Sequence, residues 1–107
     1  MNWTVEFLSK IVEEELNALP LDMRARFERI VRLIEANGLH QVREPYVKHL
    51  QGKLWEMRMT GRDGISRALY IAASGRRVVV VRVFVKKTQK TPRQEIQLAL
   101  KRAEDVI

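Results

Sequence analysis

The chain has 107 residues, 46% of them apolar, and a formal net charge of +7 from 20 Lys and Arg against 13 Asp and Glu, which suits one globular domain (1–107) and excludes a disordered chain. There is no cysteine, so a disulfide framework or thiolate metal site is excluded, and His40 and His49 are too few for a histidine cluster; no metal and no other cofactor are expected. With no secretory leader pattern and no apolar run near the roughly 20 residues of a membrane span, a cytoplasmic protein without a membrane partner is expected.

The opening NWTVEFL alternates Trp3, Val5 and Phe7 with Thr4 and Glu6, which predicts a short strand. Leu8, Ile11, Val12, Leu16 and Leu19 then recur at helical spacing beside Glu13, Glu14 and Glu15, an acidic run expected to face solvent. Pro20 restarts the chain, and Met23, Phe27, Ile30, Val31 and Ile34 form a second apolar stripe that Asn37-Gly38 stops. Residues 8–37 therefore predict a helical hairpin. An irregular segment with His40, Pro45 and His49 follows, after which the period changes to 2. KLWEMRMT, ISRALYIAA and RVVVVRVFV, separated by Gly61–Gly64 and Ser74-Gly75, predict an antiparallel three-strand meander. Thr91 as cap, Pro92 at the first helical position and Gln94 at the capping-box position introduce a C-terminal helix on Ile96, Ala99, Leu100, Ala103 and Ile107. The fold class is α+β: strand, two helices, three strands, helix.

The charge is unevenly spread. Arg43 to Arg93 holds 13 basic and 3 acidic residues, whereas the remainder holds 7 and 10. The last strand ends in Lys86, Lys87, Lys90 and Arg93, with no carboxylate until Glu95. Like charges crowded this closely repel, so an anionic partner is expected there. Period 2 puts Val79, Val81, Val83 and Val85 on a core face and Val78, Val80, Arg82, Phe84 and Lys86 on the other. It likewise sets Trp55, Met57 and Met59 as core against Leu54, Glu56 and Arg58. If the charged faces coincide, Arg58, Arg67, Arg82 and Lys86 line one side of the sheet, with Lys87 and Lys90 at the rim and Phe84 in the floor. Such a groove suits a nucleic acid strand; the alternative is an ordinary wet face of an antiparallel sheet. Lys48 and Lys53 flank its approach as further RNA contacts or as a solvated loop, and Glu56 is expected to pair with Arg58.

KLWEMR, GISRALY and VVVVRVFVKKTQKTPRQEIQLA, taken as a series, resemble the HigB-like, phage Gp49-like branch of the RelE/ParE superfamily of bacterial toxins from type II toxin–antitoxin systems. The helical hairpin matches too, so the resemblance covers nearly the whole chain. It implies a RelE-like fold and a ribosome-dependent mRNA endoribonuclease that inhibits translation without a metal, by attack of a 2′-hydroxyl on the adjacent phosphate. It also implies a cognate antitoxin, HigA-like with a helix-turn-helix domain, besides mRNA and the ribosome as partners.

By the same resemblance Arg58 and Arg67 match phosphate-contacting positions, Lys86 and Lys87 match the basic end of the last strand, and Phe84 offers stacking. Relatives with a Tyr or His near the C-terminus use it for proton transfer. Here KTPRQEIQLALKRAEDVI contains neither, which moves that role elsewhere or onto lysine. Two other functions stay open: a ParE-like gyrase inhibitor on the same fold, and a non-enzymatic nucleic-acid-binding module.

Overall fold

The computed structural model describes residues 2–86 and 90–106. They form β1 (Thr4–Phe7), α1 (Lys10–Asn17), α2 (Leu21–Asn37), a 3-10 turn (Leu39–Gln41), β2 (Val47–Gln51), β3 (Leu54–Gly61), β4 (Gly64–Ala73), β5 (Arg77–Lys86) and α3 (Arg93–Ala103). The strands make one sheet in the order β1-β5-β4-β3-β2. β2 to β5 are antiparallel neighbours, and β1 lies parallel to β5 with Thr4–Phe7 opposite Arg77–Val80. The expected α+β order stands, with one addition: β2 falls in the segment taken as irregular, which lengthens the meander to four strands. Of VKHLQ only Val47 is buried and Leu50 half-buried, so this edge strand lacks the apolar alternation that betrays a central one.

The sheet is covered on both faces. Ser9 caps α1 by accepting the Val12 N–H, and α2 ends at Gly38, whose φ of +87° suits glycine and whose N–H reaches the Ile34 carbonyl at 2.8 Å. Val12 and Leu16 of α1 and Met23, Phe27, Ile30 and Ile34 of α2 pack on Met57, Met59, Ala68, Tyr70, Val78, Val80 and Val83. The other face holds Leu54, Leu69, Ile71, Val79, Val81 and Phe84 under Ala99 of α3. Each large apolar side chain so buried contributes about 1.5–3 kcal/mol before its entropy cost.

Period 2 fails at one point in β5. Leu69 pairs with Arg82 but Tyr70 with Val80, leaving Val81 as an extra residue. That bulge inverts the alternation, so Val78 and Val80 join Val83 on the hairpin side, while Val79 and Val81 join Phe84 on the α3 side. Trp55 also departs from expectation. It shares the face of Met57 and Met59, but no residue of α1 or α2 lines the cavity beside it, and it stays 39% exposed.

Among the described residues, β5 has no strand neighbour on its outer side beyond Val80, and side chains take that place. Glu15, expected in solvent, accepts the Val83 N–H at 3.1 Å, Arg82 Nη1 at 2.7 Å and Arg102 Nη1 at 3.1 Å, while Arg102 donates to the Val81 carbonyl at 2.9 Å. One carboxylate from α1 and one guanidinium from α3 thus close an edge that would otherwise invite another chain. The α3 terminus differs too: Pro92 is the N-cap, no side chain caps the helix, and the Thr91 hydroxyl is spent elsewhere.

Gly61 closes β3 against the start of α2. A Cβ there would lie 2.7 Å from Met23 Cγ and 2.9 Å from Asp22 Oδ2, and Asp22 Oδ2 already accepts the Arg62 N–H at 2.6 Å. Gly61→Ala is therefore expected to destabilise by about 1–3 kcal/mol through overpacking, read as a lower urea midpoint at unchanged slope.

Candidate functional site

The β3–β4–β5 register brings the charged faces together. Arg58 lies directly across from Arg67, which lies across from Phe84, while Lys86 pairs with Ile65 and Lys48 with Glu56. Arginines facing each other across a ladder repel. Glu56 offsets part of that. It is 1% exposed; its Oε2 stands 3.2 Å from Arg58 Nε, which donates to it, and 3.2 Å from Arg67 Nε. The Arg67 contact is an ion pair in which that buried Nε–H makes no hydrogen bond among the described residues. Thr91 Oγ1 donates to the other Glu56 oxygen at 2.5 Å and ties the segment before α3 to the sheet.

Depth sorts these groups. The Arg58 side chain is 30% exposed, that of Arg67 3%, and Lys86 as a residue 5%. Burial pulls the Arg67 guanidinium below its usual pKa, Arg58 adds to the effect, and Glu56 opposes it. Lys86 is lowered from the ordinary 10.5, first by burial, then by the charge of Arg67, with Arg58 and Lys48 acting the same way and Glu56 against. Removing a cationic neighbour favours the ammonium form. The 13Cε resonance of Lys86 is accordingly expected to titrate below 10.5 in the wild type and to move upward in Arg58→Gln; a midpoint at or above 10.5 would contradict this field.

The structure gathers Arg58, Arg67, Lys86 and Lys48 around one carboxylate, a cationic excess on the α3 face of the sheet. Arg82 is on that face but committed: Glu95 accepts its Nε at 2.6 Å and Nη2 at 3.2 Å, and Glu15 takes Nη1, which holds its pKa up. Phe84 is 9% exposed, with the Arg82 guanidinium carbon 5.8 Å from its ring centroid, so its outer surface is covered in this state. Lys53 borders a cavity on the hairpin face, Lys90 is exposed just before Thr91, and Lys87 lies outside the described residues. His49 turns away from the cluster, its ring 5.1 Å from that of Trp55 and its Nε2 2.8 Å from the Gly52 carbonyl oxygen.

Sequence patterning pairs Glu56 with Arg58 correctly but misses that the same carboxylate also serves Arg67 and Thr91. Placing Arg67 opposite Arg58 requires the strand register. Thr91 carries a strong capping signal, and the ion cluster outcompetes it.

The family model Phage derived protein Gp49-like (DUF891) matches residues 14–104, from within α1 to the end of α3. A mutant of the Escherichia coli toxin RelE in its free state is similar with a TM-score of 0.66 at 16% identity, over 95% of this chain and 98% of that one. The archaeal RelE–RelB complex from Pyrococcus horikoshii OT3 is similar with a TM-score of 0.59 at 23% identity, over 81% of this chain and 98% of the matched one. No curated protein sequence matches the chain. At these identities the solved structures speak for the fold. The family match spans the elements that carry Glu56, Arg58, Arg67, Lys86 and Thr91, and the chain belongs to the phage derived protein Gp49-like family, built on the RelE toxin fold.

Proposed function

We propose that this chain is the toxin of a type II toxin–antitoxin system, an endoribonuclease that cuts mRNA on the ribosome and so halts translation. The observation that supports it most is the gathering of Arg58, Arg67, Lys86 and Lys48 around the single carboxylate of Glu56, a site whose positive potential calls for a phosphate. The archaeal relative, described as a RelE–RelB complex, supports a protein antitoxin for this chain, here a HigA-like partner with a helix-turn-helix domain.

In this proposal Arg58, the most open of the three β3–β5 cations, meets the scissile phosphate, and Lys86 and Arg67 stabilise its growing negative charge from behind. The substrate 2′-hydroxyl passes its proton to a water molecule as its oxygen bonds to phosphorus; the bond to the 5′-oxygen breaks, leaving a 2′,3′-cyclic phosphate and a 5′-hydroxyl. That leaving oxygen needs a proton. Lys86, with its pKa lowered by burial and by cationic neighbours, is a better acid than an ordinary lysine and can supply it. Such a site is weak until the RNA is aligned, which is the part given to the ribosome. Lys87 and Lys90 extend the contact along the RNA backbone.

Induced expression tests the proposal. Wild-type protein is expected to arrest bacterial growth, and Arg58→Ala to restore it while keeping the wild-type circular dichroism spectrum. Arrest that persists in both Arg58→Ala and Lys86→Met would put toxicity at another surface. Stabilised gyrase–DNA breaks with intact mRNA would replace the endoribonuclease by a gyrase inhibitor.

A further inference from the structure

Apart from Lys48, residues outside the basic cluster line a second feature, a cavity of about 680 Å³ on the hairpin face of the sheet. Its volume is that of a ligand or anchor-residue pocket. Val42 and Val47 are buried in its floor, Tyr70 is 2% exposed, and Trp55 forms an open aromatic wall. One side of Trp55 is braced by His49, which the Gly52 carbonyl holds in turn. Arg43, Lys48 and Lys53 stand exposed among the lining residues, where Glu44 is the one carboxylate. β2, which supplies Val47, Lys48 and His49, is the outermost strand, and no strand pairs with its far side among the described residues.

We infer that this cavity is the docking site for an acidic segment of the antitoxin that inserts a large apolar side chain between Trp55 and Val47 and sets carboxylates on Arg43, Lys48 and Lys53. The inference rests on the toxin proposal for the partner's identity. The chemistry of the lining selects the occupant. The aliphatic floor of Val42 and Val47 rewards an apolar side chain, which needs no hydrogen-bonding partner when buried there. The cationic rim rewards flanking carboxylates and repels basic segments. An unpaired strand edge alongside lets the segment lie extended as it enters.

Lys48 gives this site a line to the other face. It borders the cavity, lies across from Glu56, and its charge acts on Lys86. A carboxylate that engages Lys48 withdraws a cation from the field at the scissile phosphate. The antitoxin thereby weakens the cluster without covering Arg58.

The test measures affinity between the purified chain and the protein encoded beside its gene, together with overlapping synthetic peptides spanning that protein. Trp55→Ala and the double variant Arg43→Glu, Lys53→Glu are compared with wild type after circular dichroism has verified their fold. Both are expected to weaken binding at least tenfold, with one acidic peptide competing for the wild-type site. Arg29→Glu, a reversal at an exposed position of α2 outside the cavity, is expected to bind as wild type does. Unchanged affinity in both cavity variants would overturn the docking site and leave the toxin proposal standing. Absence of any complex with the wild type would overturn both the site and the antitoxin, while mRNA cleavage is judged by its own assay. Loss of short single-stranded RNA binding in Trp55→Ala, with peptide binding intact, would make the cavity an RNA platform and overturn the peptide assignment.

Discussion

Glu56→Ala is expected to lower the unfolding free energy by about 3–5 kcal/mol, the cost of leaving buried charge without its counter-charge. Against a total of about 5–15 kcal/mol for a domain, this is a large share of the stability. Arg67 is the reason. With a side chain 3% exposed, it cannot turn to water, and among the described residues Glu56 is the carboxylate it pairs with. Arg58 sits close enough to lower the pKa values of both Arg67 and Lys86, and Arg67 lowers that of Lys86, so removing the carboxylate adds repulsion to desolvation. Urea unfolding near neutral pH measures the loss. Thr91→Val, which removes one hydrogen bond to the same carboxylate, should cost less, about 1.5–3 kcal/mol. A Glu56→Ala loss below about 1 kcal/mol would mean that Arg67 finds water or another anion, contrary to its burial.

Arg58→Ala is expected to slow ribosome-dependent mRNA cleavage by about 10²–10³-fold, the usual cost of removing one charge-stabilising donor from a transition state. Its stability should stay close to wild type, because the Arg58 side chain is 30% exposed and shares its carboxylate with Arg67 and Thr91. Arg67→Ala is a poorer probe. It too is expected to slow cleavage, but it strips a buried ion pair, so lost activity would mix lost structure with lost charge. Single-turnover cleavage beside urea unfolding separates the two. Arg58→Ala cutting at the wild-type rate would remove Arg58 from the site.

Much of the fold was legible because helices and central strands write their burial into spacing. Met23, Phe27, Ile30 and Ile34 recur every three or four residues and all lie in the hairpin core. Ser66, Ala68 and Tyr70 share a side of β4, as alternation indicates, and it is the side toward the helices for Ala68 and Tyr70. Three features were hidden for physical reasons. β2 is an edge strand with little to bury, so its residues carry no apolar rhythm. The Val81 bulge sits in a run of four valines, where both faces of the sheet are covered and either assignment reads as apolar. Trp55 looks like core by alternation, yet its exposure depends on where the helices end.

The charged residues follow the same logic. Alternation put Arg58 with Glu56, and Arg67 and Lys86 join them on one side of the sheet as expected, but that side, read as open, is the one α3 packs on. What alternation could not show is which cations are already satisfied. Arg82 carries the same charge as Arg58 but is bound by Glu95 and Glu15, carboxylates 13 and 67 residues away, and so stands apart from the cluster. Glu15 illustrates the converse: an acid in a run of three that pairs because the open edge of β5 passes beneath it.

The most direct measurement is a reconstituted translation reaction on a defined end-labelled mRNA, with and without ribosomes. The account predicts cuts within codons only where ribosomes and the wild-type chain are both present, with a 5′-hydroxyl on each downstream fragment. Intact mRNA under those conditions, with the protein shown to be folded, would contradict it.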